Sequence, residues 1–130
     1  MKTIEEPQRD DSISLKESGY PLFSFKYVQT DSIKSCREGK FFYDFLMRLR
    51  KLAELGWKEI MMSDRHSFGS EFIPIGQFKP QTNIPIITDD VNKLMVFRSA
   101  GDNRIFAGVR DGNVFQIVFI ETKFGDIYKH

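Results

Sequence analysis

Hydrophobic residues recur at two different spacings along this chain, and each spacing predicts one kind of element. Between Gly39 and Leu55 they fall at helical intervals and form one apolar stripe, made of Phe42, Phe45, Leu46, Leu49, Leu52 and Ala53. Between Leu94 and Ile120 they come in three short runs separated by Gly, Asp and Asn, which is typical of antiparallel strands joined by tight turns. The pattern predicts a long helix followed by a β-meander.

Shorter patterns complete the predicted fold. Residues 21–28 alternate with a period of two and predict an N-terminal strand, and Trp57–Met62 predicts a short second helix. Residues 71–75 predict a short edge strand in which a proline is tolerated, and residues 78–88 predict an exposed connection. Together these elements predict an α+β fold, with an N-terminal strand and one long and one short helix packed on a C-terminal antiparallel sheet.

Length and composition suit one domain. A chain of 130 residues with 41% hydrophobic residues and 13 phenylalanines can bury a single core. Residues 1–19 are polar and acidic, which predicts a poorly ordered arm before a single α+β domain over residues 20–130. The formal net charge of +1 excludes a strong overall attraction to nucleic acid or to an anionic membrane. Without a secretory leader or a run of 18 apolar residues, we expect a cytoplasmic protein with no membrane contact.

The cysteine and histidine content limits the chemistry further. Cys36 is the single cysteine, so no intramolecular disulfide and no cysteine-based zinc site can form. His66 and His130 are the two histidines, and their spacing is not that of a helical metal-binding pair. We therefore expect no metal and no cofactor.

Alternation along the last two strands predicts two unlike faces of the sheet, with the turn at Asp111-Gly112 or Gly112-Asn113. One face is nearly all aliphatic and is expected to pack against the helix; it includes Ile105, Ala107, Val109, Val118 and Ile120. The other mixes charged and aromatic residues and is expected to stay open; it includes Arg104, Phe106, Arg110, Phe115, Ile117, Phe119 and Glu121. It is either a solvated face with an Arg–Glu pair or a surface that holds phosphate beside a stacked base. A bulge at Gly101 is predicted to add Arg98 to it.

Two further places bring together residues suited to phosphate chemistry. Tyr128 and His130 are two positions apart, so their side chains project to the same side of an extended segment. The simpler expectation is that Tyr128 closes the edge of the core and His130 lies loose. Arg65 and His66 share a polar loop that either binds phosphate or is an ordinary surface loop.

The order of elements resembles the RelE/ParE-like toxin superfamily, small bacterial proteins with a strand, two helices and a C-terminal antiparallel sheet. In residues, the resemblance rests on the strand that Arg104 opens, the Asp111-Gly112 hairpin, the apolar strand over residues 114–120 and the closing Tyr128-Lys129-His130. The fold that the resemblance implies is the one predicted from the pattern.

The resemblance also implies an activity. Ribosome-dependent members of the superfamily cut mRNA by attack of a 2′-hydroxyl on the adjacent phosphate, which needs a base, cationic donors and an acid. It implies Arg104 and Arg110 as phosphate donors, Tyr128 and His130 as acid/base groups, and an antitoxin, mRNA or the ribosome as partners. A wider set is implied for RNA binding or a protein interface: Arg98, Phe106, Phe115, Phe119, Arg65 and His66. The alternative is a non-enzymatic protein-binding module of a phage or mobile element, which would use the same open face.

Overall fold

The computed structural model describes residues 19–64, 68–79 and 83–130, and they form the predicted α+β fold. In chain order the elements are β1 (Leu22–Ser24), α1 (Asp31–Ser35), α2 (Gly39–Met62), β2 (Glu71–Pro74), a 3-10 turn (Ile75–Gln77), β3 (Lys93–Arg98), β4 (Ile105–Asp111) and β5 (Val114–Ile120). The strands form one sheet in the order β1-β5-β4-β3-β2, with β1 parallel to β5 and the other described pairs antiparallel. Of the predicted arm, residues 1–18 lie outside the described residues.

Helix α2 holds both predicted helices, joined at a kink. Gly56 has φ 82° and ψ 159°, a left-handed conformation that favours glycine, and Trp57–Met62 continues beyond it as the short second segment. The buried positions of the first segment are Phe41, Phe45, Leu49 and Leu52. Phe42 and Leu46 were expected in the apolar stripe, but both are exposed. Consecutive residues lie about 100° apart around a helix. Because the buried row begins at Phe41 and not at Phe42, Phe42 and Leu46 face solvent. Within the described residues, no helix has the length and apolar character needed to cross a membrane.

The helix packs against the opposite sheet face from the one predicted. Phe106, Phe115 and Ile117 share a core with the buried row of α2, and the ring centroids of Phe45 and Phe106 are 5.2 Å apart. The expectation that the aromatic face is open is therefore wrong. Aromatic rings bury the largest apolar area per side chain, which favours placing this face under the helix.

Most of the aliphatic face, including Ile105, Ala107 and Val118, is buried under two segments that lie outside the helices, whereas Ile120 packs in the helix-side core as predicted. Phe78 stacks on Phe119 with ring centroids 5.4 Å apart, and Ile84, Ile127 and Tyr128 belong to the same cluster. The expectation that residues 78–88 form only an exposed connection is wrong, because Phe78 and Ile84 close this second core. Within the described residues, both faces of the central strands are covered.

A bulge in β5 changes which residues share a face. Ala107 lies opposite Phe119 and Gly108 lies opposite Ile117, so Val118 is an extra residue between them. Phe119 consequently packs with Phe78 instead of with the aromatic set of the helix side. A Cβ atom on Gly108 would lie 2.0 Å from the carbonyl oxygen of Gln116, so this close approach of two backbones requires glycine.

The loop between β3 and β4 decides the position of Arg98. Arg98 pairs with Ile105, so it belongs to the sheet face of Ile105, whereas Arg104 stacks over Phe41 of α2 on the other face. The prediction that a bulge at Gly101 places Arg98 beside Arg104 is wrong. An even number of loop residues preserves the strand alternation, and the positive φ of Gly101 (93°) serves the turn instead of a bulge.

Candidate functional site

Strand β5 is followed by a completely buried carboxylate, that of Glu121. Its Oε1 accepts the backbone N–H of Ile105 at 3.0 Å, and its Oε2 accepts the backbone N–H of Gly125 at 2.8 Å. Burial raises the pKa of the Glu121 carboxyl above its ordinary value, and the hydrogen bonds from His130 and from these two N–H groups oppose that rise. The carboxylate is thus fixed in place by the ends of two strands and a loop.

His130 completes the hydrogen bonding of Glu121. Its Nε2 lies 2.9 Å from each carboxylate oxygen, and its side chain is only 17% exposed. The imidazole also contacts the rings of Phe124 and Tyr128, with centroids 3.9 Å and 4.2 Å away. The expectation that His130 lies loose is wrong, whereas the prediction that Tyr128 and His130 project together is confirmed. A buried carboxylate on one ring nitrogen fixes the orientation and tautomer of an imidazole, as it does in catalytic triads.

The segment after β5 turns back across the second sheet face to place His130 there. Gly125 adopts a positive φ of 87° within this turn. Tyr128 then forms an antiparallel bridge with Phe78, and the N–H of Lys79 donates to the carbonyl of Ile127 at 2.6 Å. The same contacts that close the second core therefore position the imidazole.

Tyr128 and His130 line a cleft of about 200 Å³ on this face. The cleft is also lined by Glu71 from the edge strand β2 and by Arg98 at the end of β3. Asn103 closes it on one side, and its Oδ1 accepts a hydrogen bond from Nη1 of Arg98 at 2.8 Å. Residues that carry a guanidinium, an imidazole, a phenol and a carboxylate therefore line one small space.

Arg104 is not among the residues that line the cleft, and its guanidinium is paired with two carboxylates. Its Nε is 3.1 and 3.0 Å from the two oxygens of Asp102, its Nη2 is 2.8 Å from the same carboxylate, and its Nη1 is 3.1 Å from Glu38. Its guanidinium also stacks over Phe41 at 4.6 Å. Hydrogen bonding to Asp102 raises the pKa of Arg104 above its ordinary value, although partial burial opposes this. Arg104 thus joins the loop, the start of α2 and the sheet.

Arg110 occupies the opposite end of β4. Its guanidinium lies 4.1 Å from the ring centroid of Trp57, and its Nε donates to the carbonyl of Gly112 at 2.9 Å. It lies six positions after Arg104 along extended backbone, which corresponds to about 20 Å. The four residues expected to surround one phosphate are therefore not brought together: Tyr128 and His130 share the cleft, Arg104 lies on the helix side of the sheet and Arg110 is remote.

The wider set of expected binding residues divides in the same way. Arg98 lines the cleft. Phe106, Phe115 and Phe119 are buried in the two cores, so the expectation that they form an RNA or protein interface is wrong. Arg65 and His66 lie outside the described residues.

Three features of the cleft were missed by sequence reasoning: Glu71, Asn103 and the pairing of Glu121 with His130. The sequence signal for the last was a single carboxylate directly after the apolar strand β5. Strand alternation instead predicts that this carboxylate lies on the open face.

A second, larger cavity of about 710 Å³ shares Asn103 with the cleft. Its other lining residues include Cys36, Arg37, Arg104, Lys123 and Phe124. Phe124 is a 54% exposed residue whose ring stacks on His130, and because it also lines this cavity it connects the cavity with the imidazole.

Among the residues that the structure describes, no three His, Cys, Asp or Glu side chains are grouped so that they could hold a metal ion. Comparison with family models, with curated proteins and with solved structures gave no match to this chain. The resemblance to the RelE/ParE-like superfamily stays a prediction, and the function is argued from the chemistry of the cleft.

Proposed function

We propose that this protein is a toxin-like endoribonuclease that cleaves mRNA in the cleft lined by Arg98, Tyr128 and His130. The observation that carries the proposal is the pairing of His130 with the buried Glu121 at the edge of that cleft. A buried carboxylate beside an imidazole holds that imidazole ready for proton transfer. Histidine is the side chain that most often acts as a general acid or base in enzymes.

The proposed reaction uses three groups of the cleft. His130 accepts the proton of the 2′-hydroxyl, and the resulting oxygen attacks the adjacent phosphorus. Arg98 stabilises the extra negative charge of the phosphorane. The bond from phosphorus to the 5′-oxygen then breaks, and the leaving oxygen takes a proton either directly from the protonated imidazole or from Tyr128, which then regains its proton from that imidazole. The products are a 2′,3′-cyclic phosphate and a free 5′-hydroxyl, so atoms and charge balance.

The proposal includes a partner and a compartment. Cleavage of mRNA on ribosomes takes place in the cytoplasm, and a toxin needs an antitoxin to restrain it. Exposed apolar side chains on α2, including Tyr43 and Leu46, supply a surface for such a protein.

The same surface favours a second candidate, a non-enzymatic protein-binding module from a phage or mobile element. This candidate no longer has the arginine and phenylalanine sheet face available, because Phe106 and Phe115 are fully buried. It would instead use the exposed row of α2, namely Phe42, Tyr43 and Leu46. It predicts that changes in this row abolish partner capture while changes in the cleft leave it intact.

The experiment that tests the proposal combines induced expression with mapping of RNA ends. Purified protein is incubated with mRNA programmed on ribosomes, and new 5′ ends are mapped by primer extension. General acid/base groups typically contribute about 10²–10⁴-fold to rate, so His130→Ala should lower cleavage by that amount and relieve growth arrest. Lys129→Ala, at an adjacent exposed residue, is the matched control and should cleave like wild type. A wild-type protein that is harmless and leaves ribosome-bound mRNA intact would overturn the proposal.

A further inference from the structure

We infer that the second cavity is a subsite for the nucleotide next to the scissile phosphate, with Phe124 as the stacking platform for its base. This inference rests on the proposed function, because it extends the path of the RNA strand beyond the cleft. It assigns a ligand class, single-stranded RNA, to a surface distinct from the reacting groups.

The first argument is the position of Phe124. One face of its ring stacks on His130 at a centroid distance of 3.9 Å and an interplanar angle of 22°. The residue is nevertheless 54% exposed and lines the second cavity. A half-exposed ring that is held by stacking on one side offers its remaining surface to another flat ring. A base stacked there would lie next to the imidazole that we propose as the catalytic base.

The second argument is the charge of the cavity. Arg37 and Lys123 are exposed cations at its wall, and among the described residues neither makes an ion pair. The two carboxylates at the wall, Glu38 and Asp102, are both paired with Arg104. The wall therefore keeps a positive surplus beside an aromatic ring, the combination by which proteins bind single strands without reading sequence.

The third argument is continuity with the cleft. Asn103 lines both cavities and accepts a hydrogen bond from Arg98, the proposed phosphate donor. An RNA strand whose phosphate lies at Arg98 must leave the cleft on one side, and the larger cavity lies on the side of Asn103. The amide of Asn103 can contact the sugar or phosphate that joins the two nucleotides.

The decisive experiment measures binding without cleavage. The probe is a short single-stranded RNA with 2′-O-methyl groups, which removes the attacking hydroxyl, and affinity is measured by fluorescence anisotropy. Base stacking on an aromatic ring is worth about 1–3 kcal/mol, so Phe124→Ala should weaken binding by roughly 5- to 150-fold, and Phe124→Tyr should restore it. The matched control is Phe25→Ala, because Phe25 is 53% exposed and lies outside both cavities.

A second series identifies the stacked nucleotide. One base at a time is removed from the probe, leaving the backbone intact. Wild-type protein should lose affinity when the base over Phe124 is removed, and Phe124→Ala should lose nothing further at that position. Lys123→Ala should weaken all probes about equally and reduce the salt dependence of binding by roughly 0.7 in log–log slope, as one lost phosphate contact requires.

The outcomes separate this inference from the proposed function. If wild type cleaves mRNA but Phe124→Ala and Phe25→Ala bind the probe equally, the subsite is wrong and the nuclease proposal stands. Failure of the wild-type protein to bind the probe at millimolar concentration also overturns the subsite. If the probe binds with the expected Phe124 dependence but mRNA is never cut, the subsite stands as an RNA-binding site and the catalytic proposal fails.

Discussion

Glu121 holds His130 through both of its carboxylate oxygens, each 2.9 Å from Nε2, at a point where the carboxylate is completely buried. The two residues are joined by a turn that also supplies the N–H of Gly125 to the carboxylate. The Glu121 carboxylate therefore has a structural role, because it accepts hydrogen bonds from backbone N–H groups, and a functional role, because it orients the imidazole of His130. The first two predictions separate these roles.

Glu121→Ala should lower the free energy of unfolding by several kcal/mol. The substitution leaves the buried N–H of Ile105 and the partly buried N–H of Gly125 without their acceptor, and a buried donor left unpaired costs about 1–3 kcal/mol. Urea unfolding followed by circular dichroism measures the change. Glu59→Ala, at an exposed glutamate of α2, is the control and should change stability little. Equal effects of the two substitutions would mean that Glu121 carries no structural role.

His130→Ala should leave most of this stability in place, because both backbone donors to Glu121 remain. The buried carboxylate then loses one charge-assisted partner, at a cost of about 1.5–3 kcal/mol. The informative comparison for His130→Ala is between its loss of unfolding free energy, measured by urea unfolding, and its loss of mRNA cleavage rate. A variant that is as unstable as Glu121→Ala would show that reduced activity reports unfolding and not lost proton transfer.

Gly108→Ala should destabilise the protein through the backbone alone. The added Cβ atom would lie 2.0 Å from the carbonyl oxygen of Gln116, which cannot move without opening the bulge between β4 and β5. Overpacking typically costs about 1–3 kcal/mol, and a backbone obstacle places this case at the upper end. Gly76→Ala is the control, since nothing lies within 4 Å of its added Cβ and Gly76 is not a positive-φ position. Thermal melts of the two variants that coincide would contradict the bulge.

Val118→Asp should also lower stability by several kcal/mol, because it buries an unpaired charge in the second core. Strand alternation predicts that Val118 is buried under the helix, whereas the structure buries it on the other sheet face, beside Phe78. Val114→Asp, at the partly exposed start of β5, should cost much less. Chemical denaturation of both variants gives the comparison, and an unmoved unfolding midpoint for Val118→Asp would exclude a buried position.

Asp102→Asn should make the free energy of unfolding depend less on pH in the acidic range. Partial burial would raise the pKa of the Asp102 carboxyl, but hydrogen bonds from the side chain and backbone of Arg104 outweigh it and hold the pKa below 3.8. Because the folded-state pKa lies below the unfolded one, the carboxylate stabilises the fold above pH 3.8 and loses this effect as pH falls through the folded-state value. The stability advantage of wild type over the variant should therefore shrink below that pH.

Urea unfolding at a series of acidic pH values tests this dependence. The Asp102 side chain is half exposed, so the difference at neutral pH should not exceed about 1 kcal/mol. Arg104→Gln removes the partner and should flatten the profile in the same way. An advantage of wild type that grows as pH falls would show that the sign is wrong.

The sequence alone determined the order of the strands and of the long helix, but it did not predict the five-residue helix α1. Apolar spacing located the long helix, and the residues around Gly112 located the hairpin, because helical and strand periodicities are local properties of the chain. The two-residue separation of Tyr128 and His130 was likewise enough to place their rings together. These features depend on neighbours within a few residues.

Only the tertiary structure decided which face of the sheet packs against the helix and which is covered by the segments around Phe78 and Ile127. Alternation distinguishes the two faces of a strand but does not say which one meets the helix, and here both are buried. The extra residue Val118 moves the side chain of Phe119 from one sheet face to the other. No local sequence pattern reveals this bulge. The pairing of Glu121 with His130 depends on a turn that brings His130 back across the second core, so the residues of the cleft meet only after that core has formed. Side-chain chemistry was readable from the sequence, but the contacts that give it a role are set by packing between distant segments.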